Sequence, residues 1–181
     1  MSWKRWTKGI VRVGISAILL GPAAILQAAS TPAKTENAVQ AKTERVLRGI
    51  KVDAGRIQTA AKELDQLTKH SGSTWLDYDR QWNEIQPYVE DMQIKLWDLD
   101  SRKANMSAVE QKDVDAIQPI IQTIRDRAQA LRMLLDKSGV STSDARFEDY
   151  ATSLDHLTVR LEKAIQSSDF SKPGDRNVIK G

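Results

Sequence analysis

The chain has 181 residues, two histidines (His70 and His156) and no cysteine. That inventory bounds its chemistry. Without cysteine there are no disulfides, no thiolate metal sites, no covalent haem attachment through C-x-x-C-H and no lipidated N-terminal cysteine. A di-iron helical site needs Glu-x-x-His on two helices, so that both ligands project from one inner face. Three residues before His70 stands Leu67, and three before His156 stands Ser153, so the motif is missing. A b-type haem needs axial donors at one level on opposite sides of the ring. Folding the chain at its joints leaves His156 about 15 Å in height from Met92, taking 1.5 Å per helical residue. Met133 misses by a similar amount in the other direction. His156, Met92 and Trp82 remain the candidates for binding a small ligand or cofactor, and the sequence calls for no specific cofactor or metal.

Other chemistries find less support. There is no G-x-S-x-G, no triad setting for either histidine and no phosphate-cradling glycine loop. Carboxylates are plentiful, among them Asp77, Asp79, Glu84, Asp98 and Asp100. They fall mostly on polar faces, so a paired-acid hydrolase does not follow from them. The expectation leans away from an enzyme.

Charge narrows the partners. The chain has 27 basic and 24 acidic residues. Lys4, Arg5, Lys8 and Arg12 belong to an N-terminal stretch with no acid before residue 31. Setting those four aside leaves 23 bases against 24 acids, so the folded part carries no nucleic-acid footprint. The N-terminal stretch has the three parts of a secretory signal: the cationic MSWKRWTKGIVR, the apolar VGISAILLGPAAIL and the small-residue QAAS. Its apolar run falls short of the roughly 20 residues that span a bilayer, and Gly21-Pro22 interrupts it. Cleavage near Ala28–Ser30 is expected. It leaves an exported product with no stable membrane anchor, and a periplasm is the best-fitting compartment.

These side chains must be positioned by helices. Apolar residues recur at steps of three and four in four segments, the spacing of one helical stripe. The first runs Val39, Val46, Ile50, Ile57, Ala61, Leu64. The second runs Trp75, Tyr78, Trp82, Ile85, Val89, Met92, Leu96, Leu99. Val114, Ile117, Ile121, Ile124, Ala128, Leu131 and Leu135 form the third. Phe147, Tyr150, Leu154, Leu157, Leu161 and Ala164 form the fourth. No segment alternates with period two. Short joints at 70–73, 101–107 and 137–143 make successive helices antiparallel neighbours. The fold expected is all-α: an up-down-up-down antiparallel four-helix bundle behind a secretory signal peptide. The divisions are 1–30 signal peptide, 31–35 polar leader, 36–168 bundle and 169–181 flexible tail.

Two prolines test this reading. Pro87 and Pro119 each follow Ile-Gln inside a helical pattern, where proline costs about 3 kcal/mol. The stripes pass both without losing phase, so continuous helices with solvent-facing prolines are expected. The competing reading starts helices at the capping boxes Asn83-x-x-Gln86 and Asp115-x-x-Gln118. Paired bends could also open a mid-bundle pocket for a small ligand, lined by Trp82, Ile85, Val89, Met92, Ile117 and Ile121.

Five of the eight aromatics after the leader lie on the second helix. Tyr88 and Trp97 flank its stripe on opposite sides and are the candidate partner-binding residues. For Trp97, cover by a broad apolar stripe is the favoured explanation, because Leu96 and Leu99 adjoin it. The leading functional expectation is a non-enzymatic exported bundle that acts through a protein partner. A small-ligand-binding bundle is the alternative.

Overall fold

The computed structural model describes residues 32–168. Among them are four α-helices and no strand: α1 (Pro32–Thr68), α2 (Trp75–Arg102), α3 (Ala108–Leu135) and α4 (Ala145–Ser167), with a 3₁₀ turn at Lys103–Asn105. The helices pack as α1 on α2, α2 on α3, α3 on α4 and α4 on α1. The signal segment and the tail lie outside the described residues. α1 starts at Pro32, inside the stretch read above as a polar leader. Proline suits a first helical turn, where its missing N–H has no intrahelical acceptor to lose.

Each later helix starts at a polar cap that satisfies free backbone N–H groups. At α2, the Asp77 carboxylate accepts from the Thr74 N–H at 2.9 Å and the Thr74 hydroxyl at 2.7 Å. At α3, the Ser107 hydroxyl accepts from the Glu110 N–H at 3.3 Å, and Glu110 accepts in return from the Ser107 N–H at 2.7 Å. At α4, Asp144 accepts from the Arg146 N–H at 3.0 Å. These caps, and not Asn83 or Asp115, mark the helix starts. α2 and α3 run unbroken through Pro87 and Pro119, and both prolines are exposed. The capping-box alternative is thereby overturned. The α3–α4 joint turns at Gly139, whose φ of 80° is a conformation that a β-carbon disfavours.

One continuous core runs through the helices. Ile50, Ile57 and Leu64 of α1 meet Ile85, Met92 and Leu99 of α2, Ile117, Ile121 and Ile124 of α3, and Phe147, Leu154 and Leu161 of α4. The stripes are broader than three-four spacing alone suggests. Leu47 and Ala54 are buried on α1, whereas Val46 is only half-buried. Ile120, Ala151, Thr158 and Ile165 are buried beside the expected residues, while Tyr150, Leu157 and Ala164 sit at the margin. Each helix has two packed neighbours, so its buried arc widens toward both.

Aromatics close the end of the bundle where α2 and α4 begin. The Tyr78 and Phe147 ring centroids are 4.6 Å apart, and Trp75 meets Phe147 edge-on at 5.6 Å. The Tyr78 hydroxyl donates to the Thr142 carbonyl at 2.8 Å. That bond lets a polar tip end in a buried aromatic cluster without an unpaired group.

Candidate functional site

The candidates for ligand or cofactor binding are not brought together. Met92 is wholly inside the core, and Trp82 is buried at its edge. His156 is exposed on α4, in a surface depression lined only by residues of that helix, Glu148 to Leu157. His70 is exposed in the α1–α2 joint. Among the described residues, no group of three or more His, Cys, Asp or Glu side chains is placed to hold a metal ion.

Near the prolines, Ile85, Met92, Ile117 and Ile121 are packed in the core. Trp82 and Val89, at the edge of that core, form with Ala128 the apolar floor of a cleft on the surface between α2 and α3. Gln86 and Glu90 stand on one side of it, and Arg125, Gln129 and Arg132 on the other. Its volume is about 160 Å³, below the roughly 300 Å³ at which small-molecule pockets usually begin.

The partner-binding candidates sit as differently as their flanks suggest. Tyr88 is half-buried and lines the groove between α1 and α2, with Arg56, Thr59, Ala60, Glu63 and Glu84 around it. Trp97 is 72% exposed, which corrects the expectation that a neighbouring helix covers it. The reason is angular. Leu96 and Leu99 point into the core, and Trp97 lies about 100° around the helix from Leu96, past the reach of α3. Ile94, three residues before Trp97, is 65% exposed. Together they place an aliphatic and an indole in water in the last third of α2.

That exposed pair flanks the most buried ion pair in the described part of the chain. Lys95 Nζ donates to Asp53 Oδ2 and to Asp91 Oδ2, each at 2.6 Å. Asp53 lies within the packed α1–α2 interface and is only 4% exposed. Burial raises the Asp53 pKa; the hydrogen bond and charge of Lys95 act against that rise without reversing it. Burial also pulls the Lys95 ammonium down, but two carboxylates outweigh it, and its pKa ends above the ordinary value. The two shifts differ in meaning because one cation serves two anions. Asp53, the more deeply buried, is left under-compensated.

Sequence spacing reveals half of this cluster, the Asp91–Lys95 pair four residues apart. Asp53 carries a weaker signal. It falls beside the α1 stripe, next to Gly49, a glycine in mid-helix. A β-carbon at Gly49 would meet Lys95 Cε at 2.8 Å, so the glycine leaves the path by which Lys95 crosses to α1.

Among the described residues, no helix is long and apolar enough to cross a membrane. Comparison of the chain with protein-family models, with curated proteins and with solved structures finds no match.

Proposed function

We propose that this chain is an exported, non-enzymatic helical bundle that works by binding a protein partner through the outer face of α2. The observation that carries the reading is the exposed Ile94–Trp97 pair. Large apolar side chains on a wet helix face contribute little to folding, and tryptophan is prominent among the residues that anchor interfaces. Acidic groups surround the pair: Glu90, Asp91 and Asp98 on the same helix. A rim of charge around an apolar centre is the usual anatomy of a binding patch. Export to a periplasm rests on the three-part N-terminal pattern.

The bundle is proposed to run up-down-up-down. The side-chain bonds support antiparallel neighbours. Between α2 and α3, Arg132 pairs with Asp79 near one end and Lys103 with Asp115 near the other. Residue numbers rise along one helix as they fall along the other. Between α1 and α2, Lys95 reaches Asp53, whereas Tyr88 shares a groove with Arg56 to Glu63. The same opposition of direction holds there.

A ligand-binding role would use the α2–α3 cleft, where Arg125 and Arg132 face Glu90 over Trp82. Its small volume favours the partner reading.

Cell fractionation followed by affinity capture tests the proposal. The protein should be recovered from the exported fraction with a discrete partner, and Trp97→Ser should lose that partner while folding normally. Retention in the cytoplasm would remove the export reading. Equal recovery of the partner by wild type and Trp97→Ser would remove the α2 reading.

A further inference from the structure

The outer ridges of α1 and α2 carry matched and opposite patterns. On α1, Arg48, Val52 and Arg56 lie four residues apart and all are exposed. On α2, Glu90, Ile94 and Asp98 do the same, with Asp98 half-buried and the others exposed. Side chains four apart form one ridge along a helix. Each ridge is therefore an exposed aliphatic residue, Val52 at 62% and Ile94 at 65%, between two charges. The α1 charges are positive and the α2 charges negative.

Lys95 fixes the relative height of the ridges. It bonds Asp53 and passes over Gly49, so it stands level with the middle of that α1 turn. Counting outward along antiparallel helices, Val52 is level with Ile94, Arg56 with Glu90 and Arg48 with Asp98. Within one chain the ridges lie on separate helices: Arg56 borders the α1–α2 groove, Glu90 accepts from Gln86 at the rim of the α2–α3 cleft, and Asp98 pairs with Arg102 of its own helix. Arg48 and Arg56 form no ion pair among the described residues. Asp91, beside the α2 ridge, shares the Lys95 ammonium with Asp53.

We propose that a second copy of this chain covers this face, in a two-fold dimer whose axis runs parallel to the helices. Such an axis keeps heights unchanged and exchanges the two ridges. It sets Val52 against Ile94 of the other copy, Arg56 against its Glu90 and Arg48 against its Asp98, and then repeats all three contacts. Opposite charges face each other at two rungs; reversing one copy brings like charges together, and a slip of one rung sets a charge against Val52 or Ile94. This inference rests on the antiparallel bundle and the partner-binding α2 face proposed above, and it names the partner.

The chain lacks cysteine, which makes the test clean. Sedimentation equilibrium of the purified protein across the micromolar range should show a reversible dimer that weakens with added salt. Arg56→Glu alone and Glu90→Arg alone should each weaken it about tenfold or more, because each puts like charges together twice. An equimolar mixture of those two variants should recover the dimer, since both rungs are again opposite in the mixed pair. Val52→Cys mixed with Ile94→Cys should form an intermolecular disulfide that neither gives alone. A monomer at every concentration would overturn the dimer. So would a dimer insensitive to the charge exchange or lacking the Val52–Ile94 crosslink. If such a monomer still loses a different partner on Trp97→Ser, the α2 binding reading stands and only the second copy is refuted.

Discussion

Lys95 reaches from α2 to Asp53 of α1, 2.6 Å away, while holding Asp91 of its own helix at the same distance. The contact ties two neighbouring helices at one height. It also leaves a carboxylate in the helix interface that depends on a single ammonium. Lys95→Met should destabilise the protein by about 3 kcal/mol, the lower end for stranding a buried charge, because Lys95 itself is partly wet. The loss should depend on pH. Asp53 already has a raised pKa, and removing Lys95 raises it further. For a carboxylate raised on folding, the native state holds protons that the unfolded chain releases, so its contribution falls as pH rises above the ordinary 3.8 through the folded value. The gap between wild type and Lys95→Met should be widest near neutrality and narrow on acidification. Urea unfolding of both proteins at several pH values measures it.

Gly49 should be tolerated only because of that lysine. Glycine inside a helix costs about 0.5–1 kcal/mol relative to alanine. Gly49→Ala should recover that amount in a Lys95→Ala background, which removes the side-chain atoms the new β-carbon would meet. In the wild-type background the new β-carbon displaces the Lys95 chain, and the gain should shrink or reverse. A double-mutant cycle by chemical denaturation reads the coupling directly.

The start of α4 should fail in acid. The side-chain and backbone hydrogen bonds from Arg146 hold the Asp144 carboxyl down at about 2. A depressed carboxylate contributes stability that is fully present above its unfolded value, 3.8, and is lost as pH falls through about 2. Asp144→Ala should therefore melt below wild type at neutral pH, and the two melting points should converge as pH approaches that value. Circular dichroism melts follow both.

Core and surface residues should separate sharply on α2 and α3. Ile121 is fully buried, and Ile121→Ala should cost about 2–5 kcal/mol. Trp97→Ser, a far larger truncation, should change stability by no more than about 0.5 kcal/mol, as exposed positions usually do. Equilibrium unfolding of the two variants compares them.

Much of the helical architecture was legible in residue spacing. The steps through Ile85, Val89, Met92 and Leu96 put those four on one buried face, and the stripes carried α2 and α3 through Pro87 and Pro119 with their phase intact. The helix starts were less legible. Asn83 and Asp115 fit a capping pattern as well as Thr74 and Ser107 do, and only continuity of the stripe separates them. The exposure of Trp97 is not legible in sequence, because neighbouring leucines suggest a wide apolar arc. How far a neighbouring helix reaches around that arc depends on packing, which local spacing does not encode. Asp53 was hidden for a similar reason: its partner is 42 residues away in sequence. An aspartate beside an apolar stripe reads as surface until the lysine opposite is known. The Val52 and Ile94 ridges correspond only after α1 and α2 are set side by side, so spacing within either helix does not reveal them.

The most direct measurement is photo-crosslinking from a reactive residue placed at Ile94, with Arg160 on α4 as an exposed control. It is made in wild type and in Trp97→Ser after both show the same unfolding midpoint. The expected result is a discrete protein adduct from position 94, none from position 160, and loss of the adduct in Trp97→Ser. Equal labelling at the two positions, unchanged by Trp97→Ser, would mean that the outer face of α2 meets only water.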